Sequence, residues 1–481
     1  MSEAVGFLEA LAVHERRDPD RVAVVCDGER VTRAELARRS IAVAAELRAR
    51  GVGPDRIVAI VLPNSVDLFV TVVAAWRLGA MAMPLSHRMP EPELDAVLAV
   101  AEPACVVREP VRAGRGPHAP LPDVPLRRWK AMATGGSTGV PKVVIDEAAP
   151  LADPFGAQNH MRVDGVMLVG GPMYHSGPFI NAVRGLLCGS TVVVMSRFDP
   201  ERVLALVEEH RIEWAFLVPT MQHRIWRLGE DVRNRSDVSS LRAVVSSGGP
   251  YPAWLKAEMI GWLGADAIHE AYGGTEQIGG CAISGVEALR KPGSVGRVRA
   301  GFELSIRDDD GNELPAGAVG HIWFRPLDRS PRFRYAGAAH DAAGPAAPEG
   351  WGTFGDLGHV DDDGYLFIAD RRTDLIVTGG ANVYPREVEA AIESHPLVRS
   401  SAVIGLPDDD LGQRVHAVVD VAGAAPTDEL RAALRSHVGE RLAPSKVPRV
   451  FELVHEPLRD EAGKVRRSAL RDARMGAAPD R

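Results

Sequence analysis

The chain has 481 residues, 46% of them apolar and 25% charged, too many for one hydrophobic core and typical of a globular protein of two or three domains. A formal net charge of −8 argues against general affinity for nucleic acid, which needs a basic surface. Nothing at the start resembles a secretory leader: Glu3, Glu9 and the charged run from His14 to Arg17 replace a basic start followed by an apolar core. The most apolar stretch, 57–85, is broken by Pro63, Asn64, Asp67 and Arg77, so no membrane span is expected. Cys26, Cys105, Cys188 and Cys281 are far apart and form no Cys-x-x-Cys pair. They predict small core residues in a reducing compartment, the cytoplasm, without disulfides or a zinc site.

In chain order, short β-branched runs at 57–62, 166–169, 191–195, 214–218 and 243–246 predict buried strands. Helices are expected at 199–210, with Asp199 as cap and Pro200 in the first turn, and at 252–263. This alternation predicts an α/β fold with a largely parallel sheet. Segments 109–127 and 336–350, rich in Pro, Gly, Arg or Ala, predict irregular loops. A boundary near 370–374 separates an amino-terminal domain, 1–370, from a small α+β domain, 371–481. In the latter we expect strands at 374–378, 401–405, 414–420 and 449–454, helices at 385–394 and 428–440, and a Gly-containing loop at 459–464.

Residues 132–144 read Met-Ala-Thr-Gly-Gly-Ser-Thr-Gly-Val-Pro-Lys-Val-Val. Gly135, Gly136 and Gly139 allow close backbone approach, while Thr134, Ser137, Thr138 and Lys142 add hydroxyls and an ammonium after the bend at Pro141. Such a convergence of donors suits a polyphosphate. It is not a Walker A loop, because Val140 and Pro141 separate Gly139 from Lys142. Further on come Tyr272-Gly273-Gly274-Thr275-Glu276, Phe354-Gly355-Asp356, Asp370-Arg371-Arg372-Thr373-Asp374, Gly379-Gly380-Ala381-Asn382 and Gly463-Lys464. Glu276 offers the hard oxygen that Mg²⁺ prefers, and Thr275 a hydroxyl for a phosphate.

In order and spacing, these motifs resemble the adenylate-forming superfamily of acyl-CoA synthetases, peptide-synthetase adenylation domains and luciferases, over about residues 19–470. The resemblance implies layered, parallel-rich sheets in a large amino-terminal domain and a small mobile carboxy-terminal domain. It also implies ATP-dependent activation of a carboxylic acid as an acyl-adenylate. By resemblance, Tyr272 stacks on adenine beside Gly273, Asp356 accepts from the ribose hydroxyls, Arg371 contacts ribose and phosphate, and Lys464 bridges carboxylate and α-phosphate. Arg372 would be an ordinary exposed arginine. His175 would line an acyl pocket with Ile180, Ser246, Ser247, Gly248, Gly249, Pro250 and Gly274. A structural histidine bonded to a backbone carbonyl is the alternative for His175.

Lys464 and Glu276 would lie in different domains, so the resemblance implies a rotation about a hinge at 371–374, where Thr373 replaces the usual Asp or Lys. The loop at Gly379 and Gly380 would then face a pantetheine arm, which favours CoA as acceptor. A carrier-protein thiol, an amine, or nitrite activation for diazotising an aryl amine remain alternatives, and a catalytically inactive nucleotide-binding scaffold is a further one. The runs Val218-Pro219-Thr220-Met221, Ile225-Trp226-Arg227-Leu228, Trp254-Leu255-Lys256 and Pro457-Leu458-Arg459-Asp460 resemble the bile-acid-CoA-ligase-like bacterial acyl-CoA synthetases. An aromatic, fatty or other bulky apolar acid is the expected substrate.

Overall fold

A computed structural model describes residues 4–112, 120–121, 123–134, 141–337, 350–371, 374–378, 381–408, 410–421, 423–460 and 463–475, with Arg371 by its backbone only. Two compact units are formed from interleaved stretches. The first comprises Met1–Gly248, Met259–Ile278 and Asp328–Ala343, and the second Gly249–Glu258, Gly279–Leu327 and Gly344–Arg481.

In the first unit, strands Ile268–Gly273, Ala243–Ser246, Trp214–Phe216, Val166–Val169, Thr191–Val194 and Val22–Cys26 lie side by side and parallel. They are apolar on both faces, as central parallel strands must be: Val24, Leu168, Val169, Val192 and Val193 are wholly buried. Val169 lies opposite both Val194 and Phe216, Phe216 opposite Val245, and Ser246 opposite Glu270. The carboxyl ends of these strands therefore align along one edge, where open α/β sheets bind ligands. Helix Pro200–His210 starts as expected, with the Asp199 carboxylate accepting the Arg202 N–H.

Smaller sheets also belong to this unit, among them two of three strands each. Met81–Pro84, Ile57–Ile60 and Cys105–Val107 are parallel, whereas Ala131–Thr134, Lys142–Asp146 and Phe333–Tyr335 are antiparallel. Ile57, Met81, Leu94, Ala131, Val143 and Ile145 share one core. Packing is close enough to be selective: a Cβ on Gly177 would come 2.8 Å from the Phe216 ring.

The second unit differs from the parallel pattern. Phe302–Arg307, Gly320–Pro326, Asp356–Val360, Leu366–Arg371 and Ser294–Val298 form antiparallel ladders, and Gly280–Ser284 pairs antiparallel with the last. Its short alternating runs lacked the continuous β-branched signature that marked the parallel strands. Gly296 is fixed here by space and dihedral alike, since its φ is +95° and a Cβ would fall 1.8 Å from the Ala282 carbonyl oxygen.

Further along this unit, Ser400–Asp408 pairs antiparallel with Gly412–Asp420, and Val450–Val454 pairs parallel with the latter. Helices Pro385–Glu393 and Asp428–Gly439 bury Val388, Ile392, Leu434 and Val438 in one cluster with Val403 and Val419. These elements match the expected α+β pattern to within a few residues.

Cys26, Cys188 and Cys281 are buried, whereas Cys105 is only half-buried, a departure from the expected core placement. Burial pushes the thiols of Cys26 and Cys281 up to about 12 and that of Cys188 to about 11, which suits packing rather than reactivity. Among the described residues, no helix is long and apolar enough to cross a membrane.

Candidate active site

The phosphate-loop motif begins and ends on an antiparallel pair. Thr134 lies directly opposite Lys142, so the strands Ala131–Thr134 and Lys142–Asp146 bring both ends of the glycine-rich segment together. Gly135, Gly136, Ser137, Thr138 and Gly139 fall outside the described residues. The Lys142 ammonium lies 5.2 Å from the centre of the Tyr335 ring. This distance permits a cation–π contact.

Tyr335 also reaches the acidic motif. Its hydroxyl donates to Glu276 Oε1 at 3.1 Å, while burial and the Glu276 charge push its ionisation well above the usual tyrosine range. A neutral phenol is thereby kept as a donor. Lys142, Tyr335, Thr275 and Glu276 thus belong to one local region of the first unit, with Glu276 half-buried. Sequence reasoning missed Tyr335, which stands immediately before a segment read as irregular.

Tyr272 and Gly273 end strand Ile268–Gly273. The chain then turns: the Gln277 N–H donates to the Gly274 carbonyl at 3.2 Å, with Thr275 and Glu276 between them. Gln277 has a φ of 54°, a left-handed conformation uncommon for a residue with a side chain.

The expected acyl-pocket residues come from several elements. His175 occupies the N-cap position of helix Ser176–Leu187 without a side-chain capping bond, and its ring is 4.5 Å from that of Tyr174. Ile180, on that helix, is half-buried. Ser246 ends its strand fully buried, and its hydroxyl has no hydrogen-bond partner among the described residues. Ser247 is half-buried, and Gly248 is exposed at a φ of +86°. Gly249 and Pro250 belong to the second unit.

In that second unit, Asp356 is 4% exposed and lies directly opposite Arg371 in the antiparallel register, so the two motif residues share one ladder rung. The Arg371 side chain, Arg372, Thr373, Gly379 and Gly380 are outside the described residues. Asp370 is wholly buried, and its Oδ2 accepts the Arg386 N–H at 2.9 Å at the start of helix Pro385–Glu393.

Lys464 is exposed on a tight turn. Its N–H donates to Asp460 Oδ1 at 2.9 Å, its carbonyl accepts the Asp460 N–H at 3.0 Å, and Gly463 takes a φ of 77°. Arg459 and Arg467 flank the turn. Arg459 donates to Glu393 at 2.9 Å and to the Gly463 carbonyl at 3.3 Å. Arg467 makes bonds of 2.8 Å to both Asp374 and Glu389. Burial disfavours the Arg467 guanidinium, but Glu389 and Asp374 outweigh it and hold the group above the usual arginine range.

The AMP-binding enzyme family matches residues 11–125 and 131–326, and the AMP-binding enzyme C-terminal domain matches 387–464. The chain belongs to the AMP-binding enzyme family and is an ATP-dependent adenylate-forming ligase of the acid–CoA ligase type. It is 32% identical to a feruloyl-CoA synthase of an Amycolatopsis species, over 95% of this chain and 96% of that one. It is 29% identical to the fatty acid–[acyl-carrier-protein] ligase ScoC of Streptomyces coeruleorubidus, over 98% and 96%. The solved o-succinylbenzoate CoA synthetase MenE of Bacillus subtilis, in complex with the acyl-adenylate intermediate OSB-AMP, is similar with a TM-score of 0.80. It is 25% identical, with 99% of each chain covered.

Proposed function

We infer that this enzyme converts a bulky apolar carboxylic acid to its acyl-adenylate, releasing pyrophosphate, and then transfers the acyl group to the thiol of CoA. The observation that carries this reading is the local grouping of Lys142, Tyr335 and Glu276 beside the two strand ends that flank the glycine-rich loop. Activation brings a carboxylate against the α-phosphate, and fixed cations and donors must offset the charge that builds there.

Lys142 and Thr134, with Gly135, Gly136, Ser137, Thr138 and Gly139, would bind the β- and γ-phosphates. Glu276 fits a Mg²⁺ ligand: its bond from Tyr335 uses one of about four lone-pair sites on the carboxylate. Among the described residues, no group of three or more His, Cys, Asp or Glu could hold a metal alone. A Mg²⁺ held by one carboxylate, substrate phosphates and water is consistent with that arrangement. When bound, the metal supplies positive charge to the phosphate oxygens.

Thr275 donates its hydroxyl to the α-phosphate, and Tyr272 with Gly273 packs on adenine. Asp356 holds the ribose hydroxyls with Arg371 across the ladder. His175, Ile180, Ser246, Ser247, Gly248, Gly249, Pro250 and Gly274 form the acyl pocket. Lys464, on the 371–481 domain, delivers its ammonium to the carboxylate and α-phosphate. A hinge at 371–374 then gives way to the thiol-transfer state, in which Gly379 and Gly380 line the pantetheine channel. Similarity to the feruloyl-CoA synthase supports an aromatic acid and CoA. Similarity to ScoC supports a second acceptor, a carrier-protein thiol. The four cysteines, all free, support a cytoplasmic location.

Acid-dependent exchange of labelled pyrophosphate into ATP tests the first half-reaction without assuming an acceptor. Exchange with aromatic or fatty acids is expected. ATP cleavage to ADP under the same conditions would contradict the reading.

A further inference from the structure

Outside the motifs, one buried polar cluster has no explanation in packing. Lys130 is wholly buried, and its Nζ is 3.0 Å from Asp146 Oδ2. The same oxygen accepts the Gln277 Nε2–H at 2.7 Å, while Asp146 Oδ1 accepts the Ala148 N–H at 2.9 Å. A buried lysine–carboxylate pair carries a large desolvation cost, and apolar residues of similar volume often serve a fold as well or better. Stability alone therefore gives little reason for the pair.

Its position gives a better one. Gln277 directly follows Glu276 and takes the left-handed conformation at φ 54°. Strand Lys142–Asp146 reaches this turn by two routes. Asp146 holds Gln277, and Tyr335, paired with Val144 on the neighbouring strand, donates to Glu276. The same strand begins with Lys142. One β-strand thus fixes the phosphate-loop lysine at one end and the acidic turn at the other.

We propose that Lys130, Asp146 and Gln277 are positioning residues: the Lys130–Asp146 pair anchors the Gln277 side chain, holds its backbone left-handed and so sets where Glu276 points. The proposal rests on the reading of Glu276 as the Mg²⁺ ligand. Lys130 orients the Asp146 carboxylate, so that one oxygen meets Gln277 while the other caps the Ala148 amide. Burial pulls the Lys130 ammonium below the usual lysine range, with Asp146 opposing that shift.

Two variants of the full chain test this. Gln277→Gly keeps the left-handed conformation accessible but deletes the tether. Lys130→Met/Asp146→Leu replaces the pair with apolar side chains and deletes the acceptor. In nucleotide-free protein, amide hydrogen exchange at 274–277 should quicken about tenfold or more in both, while strand Trp214–Phe216 keeps its protection. The Mg²⁺ concentration that half-saturates ATP binding, read by calorimetry without turnover, should rise about tenfold or more, as for residues that orient metal ligands. The KM for the acid should stay within about twofold, a split that general loosening would not give.

Wild-type exchange at the turn in a folded Gln277→Gly protein would overturn the proposal even if the double variant failed to fold. Glu276→Gln separates the two readings. If it leaves the Mg²⁺ requirement unchanged, the metal assignment fails, while the exchange experiment still decides the anchoring.

Discussion

The turn that presents Glu276 and the turn that presents Lys464 solve one problem with different chemistry. In each, the side chain assigned to the reaction is half-buried or exposed, while neighbouring residues are held by buried charges. Glu276 is flanked by two contacts, its own bond from Tyr335 and the bond of Gln277 to Asp146, the latter backed by one lysine. Lys464 is bracketed on both sides, by Arg459 on Glu393 and by Arg467 on Glu389 and Asp374. Those glutamates also accept the Ser401 and Val403 N–H groups, so the second network is part of the small domain's fold. Disturbing the first network should therefore alter the site, whereas disturbing the second should first loosen the domain.

The largest expected effect separates the half-reactions. Lys464→Ala should slow adenylation by roughly a thousandfold, the scale for removing a charge-stabilising group from a transition state. Thioester formation from supplied acyl-adenylate should suffer much less, as rapid-quench assays of each step would show. Equal loss in both would remove Lys464 from its assigned role.

Next in size is the bracket itself. Arg467→Met leaves the buried Glu389 and the half-buried Asp374 without their shared cation, a loss of about 3 kcal/mol, the low end for a broken buried pair. Denaturant unfolding followed by a probe in the small domain should show it. A fall below about 1 kcal/mol would mean that the network is decoration, not scaffold. Tyr335→Phe is milder, because it deletes one hydrogen bond to a carboxylate and leaves the ring beside Lys142. A rise of about tenfold to a hundredfold in the Mg²⁺ requirement corresponds to the roughly 1.5–3 kcal/mol of such a bond. No change would exclude the phenol from the site.

Smallest is the response to acid, which should also differ between the regions. Burial, with help from His160, depresses His269 in the first unit to about 4. Its contribution to stability is present above the ordinary histidine value of 6.5 and is lost as pH falls from there toward 4. Glu452 in the small domain is held at about 2, chiefly by His416 and also by Arg474. Its contribution is present above the ordinary 4.5 and is lost only as pH falls from there toward 2. Exchange measured against pH should show first-unit strands weakening at milder acidity than Gly412–Asp420. His269→Asn should flatten the first of these responses.

The parallel strands were legible because β-branched runs such as Thr191–Val194 are buried on both faces and bounded by turn residues. What escaped were partnerships between distant segments. Lys130 follows Arg127, Arg128 and Trp129 in sequence and drew no reading, yet it is wholly buried. Arg467 lies in a basic stretch and Arg459 among acids, and only Glu389 and Glu393 on helix Pro385–Glu393 reveal their role. Gln277 gave no signal at all, because a left-handed glutamine is visible only in the backbone.

The central claim is acid-dependent adenylation followed by thioester formation. Mass spectrometry of reactions with ATP, Mg²⁺ and a panel of aromatic, fatty and steroid acids, each with and without CoA, tests both steps together. The account predicts AMP and an acyl-CoA mass from at least one aromatic or fatty acid when CoA is present. AMP without a thioester would move the acceptor from CoA to a carrier-protein thiol or an amine, and ATP consumption that yields ADP would contradict the account.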